Sequence, residues 1–178
     1  MSGAGTVNFF SGTTNLNDSY TITGTTIVTS GTVNFNDVVT STTTNLTVIN
    51  GTQGGTGTLS VSNVFVFSGG TLGGTGTTHV ESPSGTLDIT TTAVKYINTR
   101  TLENAGTATW SGTGAVRMQN GGLLHNLGTG TFTVQASSSL NYWSGAESTF
   151  DNDGSLSSNV TAGTFTINVI FDNGGTAD

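Results

Sequence analysis

A five-residue phrase, Gly-Thr-apolar-any-apolar, returns along this chain at wide, nearly even intervals, and no other feature restricts the fold so sharply. It stands at Gly5-Thr6-Val7-Asn8-Phe9, then at Gly31 to Phe35, Gly57 to Val61, Gly85 to Ile89, Gly106 to Trp110 and Gly130 to Val134. The glycines step by 26, 26, 28, 21 and 24 residues. Self-similarity at a period of about 20–50 residues marks solenoids, propellers and arrays, and it outranks local propensity as a guide. Within each phrase the two apolar residues share parity, as Leu87 does with Ile89 and Phe132 with Val134. A strand turns both to one side, so each phrase predicts a short half-buried strand opened by glycine.

Further alternations lie between the phrases: Tyr20-Thr-Ile22, Val64-Phe-Val66, Val94-Lys-Tyr96 and Leu140-Asn-Tyr142. By the same parity their flanking residues are expected to share the inner side. Two or three short strands in about 24 residues, with no helical pattern, fit one rung of a parallel β-helix; a propeller blade needs about 40–50. The expected fold is all-β, a right-handed parallel β-helix of roughly seven rungs of 21–28 residues. The handedness follows the general preference of parallel crossovers. One solenoid domain is expected over residues 1–178. Because repeat begins directly after Met1-Ser2-Gly3 and the chain stops within repeat at Phe171–Asp178, it reads as part of a longer repeat protein. Cut solenoid ends expose strand edges, so end-to-end self-association is expected.

A second phrase, aromatic-or-leucine, any, Asn, any, Gly, strengthens the later half. It places Asn104, Asn126, Asn152 and Asn173 at steps of 22, 26 and 21. Asparagine tolerates left-handed backbone and bonds its own main chain, which suits a corner. In a stack of equivalent corners such side chains can also bond one another as a ladder.

Composition agrees with this architecture and excludes several functions. Hydrophobic residues make up 33% and charged residues only 7%, against about 25% charged in ordinary domains. Threonine, valine and aromatics favour strands, while glycine and asparagine favour turns. Ten acidic residues oppose three basic ones, Lys95, Arg100 and Arg117, for a net charge of −7. No basic cluster exists to neutralise phosphates, so nucleic acid is not expected as a partner. Charge adhesion to an anionic membrane is disfavoured for the same reason, and no 18-residue apolar stretch suits a spanning helix. The absence of cysteine excludes disulfides and thiolate metal sites.

The runs Ser68-Gly-Gly-Thr-Leu-Gly-Gly-Thr-Gly-Thr77 and Leu102-Glu-Asn-Ala-Gly-Thr-Ala-Thr-Trp-Ser-Gly-Thr-Gly114 resemble the repeat regions of very large bacterial secreted surface proteins, the adhesin-like and autotransporter-passenger-like β-helices. The resemblance covers nearly all of residues 50–178 and, more loosely, 5–50. It implies a structural or adhesive rod, secreted or at the cell surface, without enzymatic activity or cofactor. A glycan or a host or cell-surface ligand is a possible partner of such a rod. No individual functional residue is carried over by it.

Residues with chemical potential are few. The carboxylate pairs Asp151 with Asp153, Asp18 with Asp37, and Glu81 with Asp88 read as solvated corner and edge groups, so no catalytic residue is expected. His79 and His125 have no nucleophile elbow nearby, and His125 sits in the variable slot of the second phrase with Glu103, Asp151 and Asp172, a slot read as exposed. Asp151, Asp153 and Asp172 are weak calcium candidates; calcium prefers 6–8 oxygens, and neither an EF-hand nor a nonapeptide calcium repeat is present. Trp143 is the candidate for stacking on a sugar. Parity with Leu140 turns Tyr142 inward and leaves Trp143 exposed, while Trp110 shares parity with Ala108 and belongs to the core. A polysaccharide-binding or polysaccharide-cleaving module is therefore the alternative function. Ice binding is a second, since Thr21/Thr23, Thr107/Thr109, Thr131/Thr133 and Thr164/Thr166 face outward in pairs, although no fixed rung position is evident for them.

If the inward assignment holds, Ile89→Ala and Phe132→Ala should each cost about 2–5 kcal/mol, whereas Lys95→Ala or Arg117→Ala should do far less. Thermal melts of the first two variants that match the parent would refute the assignment.

Overall fold

The computed structural model describes every residue, Met1–Asp178, and consists of strands and corners with no helix. Strand partners are far apart in sequence and parallel throughout: Thr86–Ile89 lies on Thr107–Trp110, which lies on Thr131–Val134, which lies on Ser155–Ser158. The expected parallel β-helix is therefore the fold. Its coils present three faces. The third face is an independent eight-stranded sheet running from Thr13–Leu16 to Phe165–Asn168. The first and second faces are joined into one 15-stranded sheet, because Thr21–Val28, Ser41–Val48 and Thr58–Phe67 run continuously round the corner between them. In Thr58–Phe67 the leading residues pair with Thr77–Val80 and the trailing ones with Thr86–Ile89. Later coils break at that corner into separate four-residue strands.

There are about eight coils rather than seven, and their true period departs from the spacing of the Gly-Thr phrase. On the second face the stacked positions are Thr6, Thr25, Asn45, Val64, Thr86, Thr107, Thr131, Ser155 and Thr176, giving coils of 19, 20, 19, 22, 21, 24, 24 and 21 residues. The phrase at Gly5 opens a second-face strand, that at Gly31 a third-face strand, and that at Gly57 a first-face strand. Its early step of 26 is thus one coil plus one face. From Gly85 onward the phrase stays on the second face, and there its steps are real coil lengths. Eight coil steps at about 4.8 Å make a rod roughly 38 Å long.

The interior is a single cluster of stacked apolar side chains. One column on the second face runs Phe65, Leu87, Ala108, Phe132 and Leu156. Beside it Phe67, Ile89, Trp110 and Val134 form another. Ile89, Phe132 and Trp110 are all buried, as their parity requires. Two triplets turn the other way. Phe65 and Phe67, not Val64 and Val66, point inward, and Lys95 with Ile97 points inward while Tyr96 faces out. In an all-apolar run either parity satisfies the alternation, and the aromatics bury more surface than the valines. Tyr142 follows Leu140 in parity yet remains 43% exposed. The strand above it, Phe165–Asn168, stops opposite Asn141 and leaves the Tyr142 ring uncovered.

The second-phrase asparagines form a ladder inside the corner between the first and second faces. Asn104 Nδ2 donates to Asn126 Oδ1 at 2.8 Å, Asn126 to Asn152 at 2.7 Å, and Asn152 to Asn173 at 2.6 Å. Each amide also donates to the carbonyl of the strand-opening residue one coil on, Thr131, Ser155 and Thr176 in turn. None of these asparagines has left-handed backbone; the side-chain bonds, not the conformation, select the residue. Three of the four glycines that follow, all but Gly128, are required by closeness between coils. A Cβ at Gly106 would fall on the Gly85 carbonyl, one at Gly154 on that of Gly130, and one at Gly175 on that of Gly154.

Gly106→Ala should therefore destabilise the domain by about 1–3 kcal/mol through backbone displacement. Gly128→Ala is the control, since its Cβ would meet nothing closer than 3.9 Å, and chemical denaturation should leave it near the parent. Equal stability of the two variants would refute the tight-corner account.

Candidate functional site

Three groupings of chemically capable side chains result from the stacking. The first is an outward row on the first face, where Ser60, His79, Glu103, His125, Asp151 and Asp172 occupy one register position on successive coils. His79 Nδ1 meets Glu103 Oε2 at 2.9 Å. His125 Nε2 lies 2.9 Å from Asp153 Oδ2 and 3.7 Å from Asp151 Oδ2, and only 19% of its side chain is exposed. The slot read as simply exposed is thus half-enclosed by neighbouring coils. Of the three calcium candidates, Asp151 and Asp153 converge with His125, with all three ligand atoms within 4.8 Å of one another. Asp172 continues the row beyond Asp151. A nitrogen with two carboxylates differs from the all-oxygen shell that calcium takes and is closer to a transition-metal donor set. As it stands the histidine is engaged in hydrogen bonding to Asp153.

The second grouping is internal and was not foreseen. Lys95 and Arg100 are completely buried, which corrects the reading of Lys95 as a residue of little structural consequence. Arg100 spans three coils. Its Nε donates to Thr78 Oγ1 at 2.8 Å, Nη1 to the carbonyls of Gly55 and Gly73, and Nη2 to those of Gly57 and Thr77. All five partners are neutral. Burial pushes the guanidinium pKa down to about 9, so it stays a cation at neutral pH. Lys95 has less company: Nζ donates to the Ala93 carbonyl at 2.8 Å, and burial pushes its pKa down to about 8. Parity carried the signal for both, since Arg100 shares it with Leu102 and Lys95 with Ile97.

The third grouping lies on the outer side of the third face. Thr71, Tyr96, Arg117 and Asn141 stack in one row. Arg117 Nη1 donates to Tyr96 Oη at 3.1 Å, and its guanidinium lies 3.8 Å from the Trp143 ring centre. Trp143 is the extra residue of a bulge, where Met118 faces Tyr142 and Gln119 faces Ser144. It is 52% exposed, as its parity requires, with Arg117 against one ring face. The adjoining outward row reads Asn15, Asn34, Gly54, Gly73, Asn98 and Gln119. Where the two glycines interrupt it, a cleft of about 510 Å³ opens, bordered by Asn34, Thr52, Thr71, Tyr96, Asn98 and Gln119.

The threonine pairs also gain a position that linear spacing hid. Thr107 stacks on Thr131 and Thr109 on Thr133, and the first of these rows extends from Thr86 through Ser155 to Thr176. Outward threonine pairs therefore do recur at a fixed rung position on the second face, contrary to expectation. Thr21 lies on the first face, stacked on Thr42, with Thr23 at the corner beyond it, and Thr164 and Thr166 belong to the third face.

Comparison of the chain with family models, with curated proteins and with solved structures returned no match.

The buried Lys95 generates a pH dependence of definite sign. The native state holds its proton more weakly than the unfolded chain, so unfolding free energy rises as pH climbs from about 8 toward 10.5. Below pH 8 the cost of burying the cation is present in full. Lys95→Met should accordingly be more stable than the parent by about 2 kcal/mol at pH 7, with the gap closing by pH 10. Denaturation curves showing a gap that does not change with pH would contradict a buried cation.

Proposed function

We propose that this chain is a non-catalytic structural and adhesive rod segment of a secreted bacterial surface protein. The observation that carries the reading is the uninterrupted stack: about eight coils, each hydrogen-bonded strand for strand to the next on three faces. Such a body is stiff along its axis, and its outer surface is rich in threonine, serine and asparagine. Extracellular exposure also demands resistance to proteolysis. Lys95 and Arg100 are sealed inside, and Arg117 is half-buried against Trp143 and Tyr96. Proteases that cut after basic residues find little to grip on the folded rod. The stacked threonine rows of the second face favour ice binding as a second reading, because they repeat hydroxyls at the spacing of the coils.

Antibodies against the folded domain should label unpermeabilised source cells or detect the protein in the medium, and the purified domain should survive trypsin for hours. Labelling confined to permeabilised cells would overturn the surface assignment. Thermal hysteresis from the purified domain would replace it with ice binding.

A further inference from the structure

The third-face cleft is a gap in a side-chain row, and the gap is not required by the backbone. Gly73 closes the strand Gly70–Gly73, its φ is not in the left-handed region, and a Cβ there would meet only Thr52 Cγ2 at 3.5 Å and Thr71 Cγ2 at 3.8 Å. Those are ordinary contacts. At Gly54 a Cβ would meet the mobile end of Asn34, Oδ1 at 2.7 Å. Glycine in a strand costs stability, and it often marks a bulge, a tight bend or a place where a ligand or another backbone approaches closely. Contrast Gly106 and Gly154, where the next coil forbids any side chain. The same corner logic cannot account for Gly73.

What surrounds the gap defines the chemistry. Asn34 below it and Asn98 and Gln119 above it present amides that both donate and accept, while Thr52 and Thr71 present hydroxyls along one side. Tyr96 adds an aromatic wall. No charged group borders the cleft itself. Immediately beyond Tyr96, Arg117 and then Trp143 extend the surface by two coils. Arg117 has no carboxylate partner, and it is the one basic side chain that reaches solvent, since Lys95 and Arg100 are sealed. An open cleft of amides and hydroxyls next to exposed aromatic rings matches a polyhydroxylated chain with apolar ring faces. An unpaired guanidinium at its end matches a carboxylate on that chain.

We propose that this strip is a binding site for an extended, carboxylate-bearing glycan, a uronate-type polysaccharide, lying along the solenoid axis. Sugar hydroxyls engage Asn34, Asn98, Gln119 and the two threonines. Ring faces stack on Tyr96 and Trp143, and a carboxylate docks on Arg117. The coil rise of about 4.8 Å is close to the length of one pyranose unit, so successive sugars meet successive coils. The overall charge of −7 opposes approach of an anionic chain, which places the discrimination in the local contact with Arg117. This assignment is independent of whether the rod is displayed on a cell surface.

The test uses calorimetric titration of the whole domain with tetramannuronate and with β-1,4-mannotetraose, its neutral counterpart. The parent should bind the uronate at least about tenfold more tightly than the neutral tetramer, one charge-assisted contact being worth about that factor. Gly73→Asn, which continues the row of asparagines across the gap, should abolish binding of both while leaving the melting temperature at or above that of the parent. Arg117→Gln should erase the preference for the uronate and keep the weaker neutral binding. No binding by the parent, or binding undiminished in Gly73→Asn, overturns the site. Equal affinity of the parent for both tetramers overturns the role of Arg117.

Discussion

Everything in this molecule depends on parallel hydrogen bonding between one coil and the next at a fixed register. A parallel ladder places each residue directly over a residue about two dozen positions away, and the spacing of about 4.8 Å leaves no room for mismatch. Similar residues therefore accumulate in columns: Phe, Leu and Ile in the core, asparagines at one corner, glycines beside them and threonines outside. Coil length varies from 19 to 24 residues while most strands keep four. The corners absorb the difference, and the faces are preserved.

The polar interior is as consequential as the apolar one. In the early coils Tyr20 Oη bonds Thr26 Oγ1 at 2.6 Å, and Thr26 bonds Thr43 at 2.8 Å. In the middle, Arg100 gathers the carbonyls of Gly55, Gly57, Gly73 and Thr77 at one corner, adding a second donor to Gly55 and Gly57, which already accept from the Gly76 and Thr77 amides. Five acceptors arranged around one diffuse cation offset much of the cost of desolvating it. Lys95 has a single acceptor and so represents the less favourable arrangement of the two.

Much of the architecture was legible in the chain because the repeating phrase encodes both a strand and its inner side. The solenoid and the core positions of Ile89, Phe132 and Trp110 followed from it, and the asparagine ladder from the second phrase. What misled was the use of one phrase on three faces, which made the early coils look longer than they are. Val64-Phe65-Val66-Phe67 was ambiguous because every residue is apolar, and Lys95 because a charge is assumed to face water. The clefts and rows on the outside were illegible for a different reason. Gly54 and Gly73 are two of 27 glycines, and only alignment in space shows that they interrupt a column of amides.

The asparagine ladder has a direction. From Asn104 to Asn152 each amide gives a hydrogen to the next asparagine toward the C-terminal end, and from Asn126 to Asn173 each takes one from behind, so the group dipoles point the same way and reinforce one another. At the first member the alignment runs out: the Asn104 oxygen has no donor, because Val80 occupies the place beneath it. The column is thus an electrically polar wire inside an almost uncharged body, with a bare acceptor at one terminus, and the two ends of the rod are inequivalent even where their outlines match.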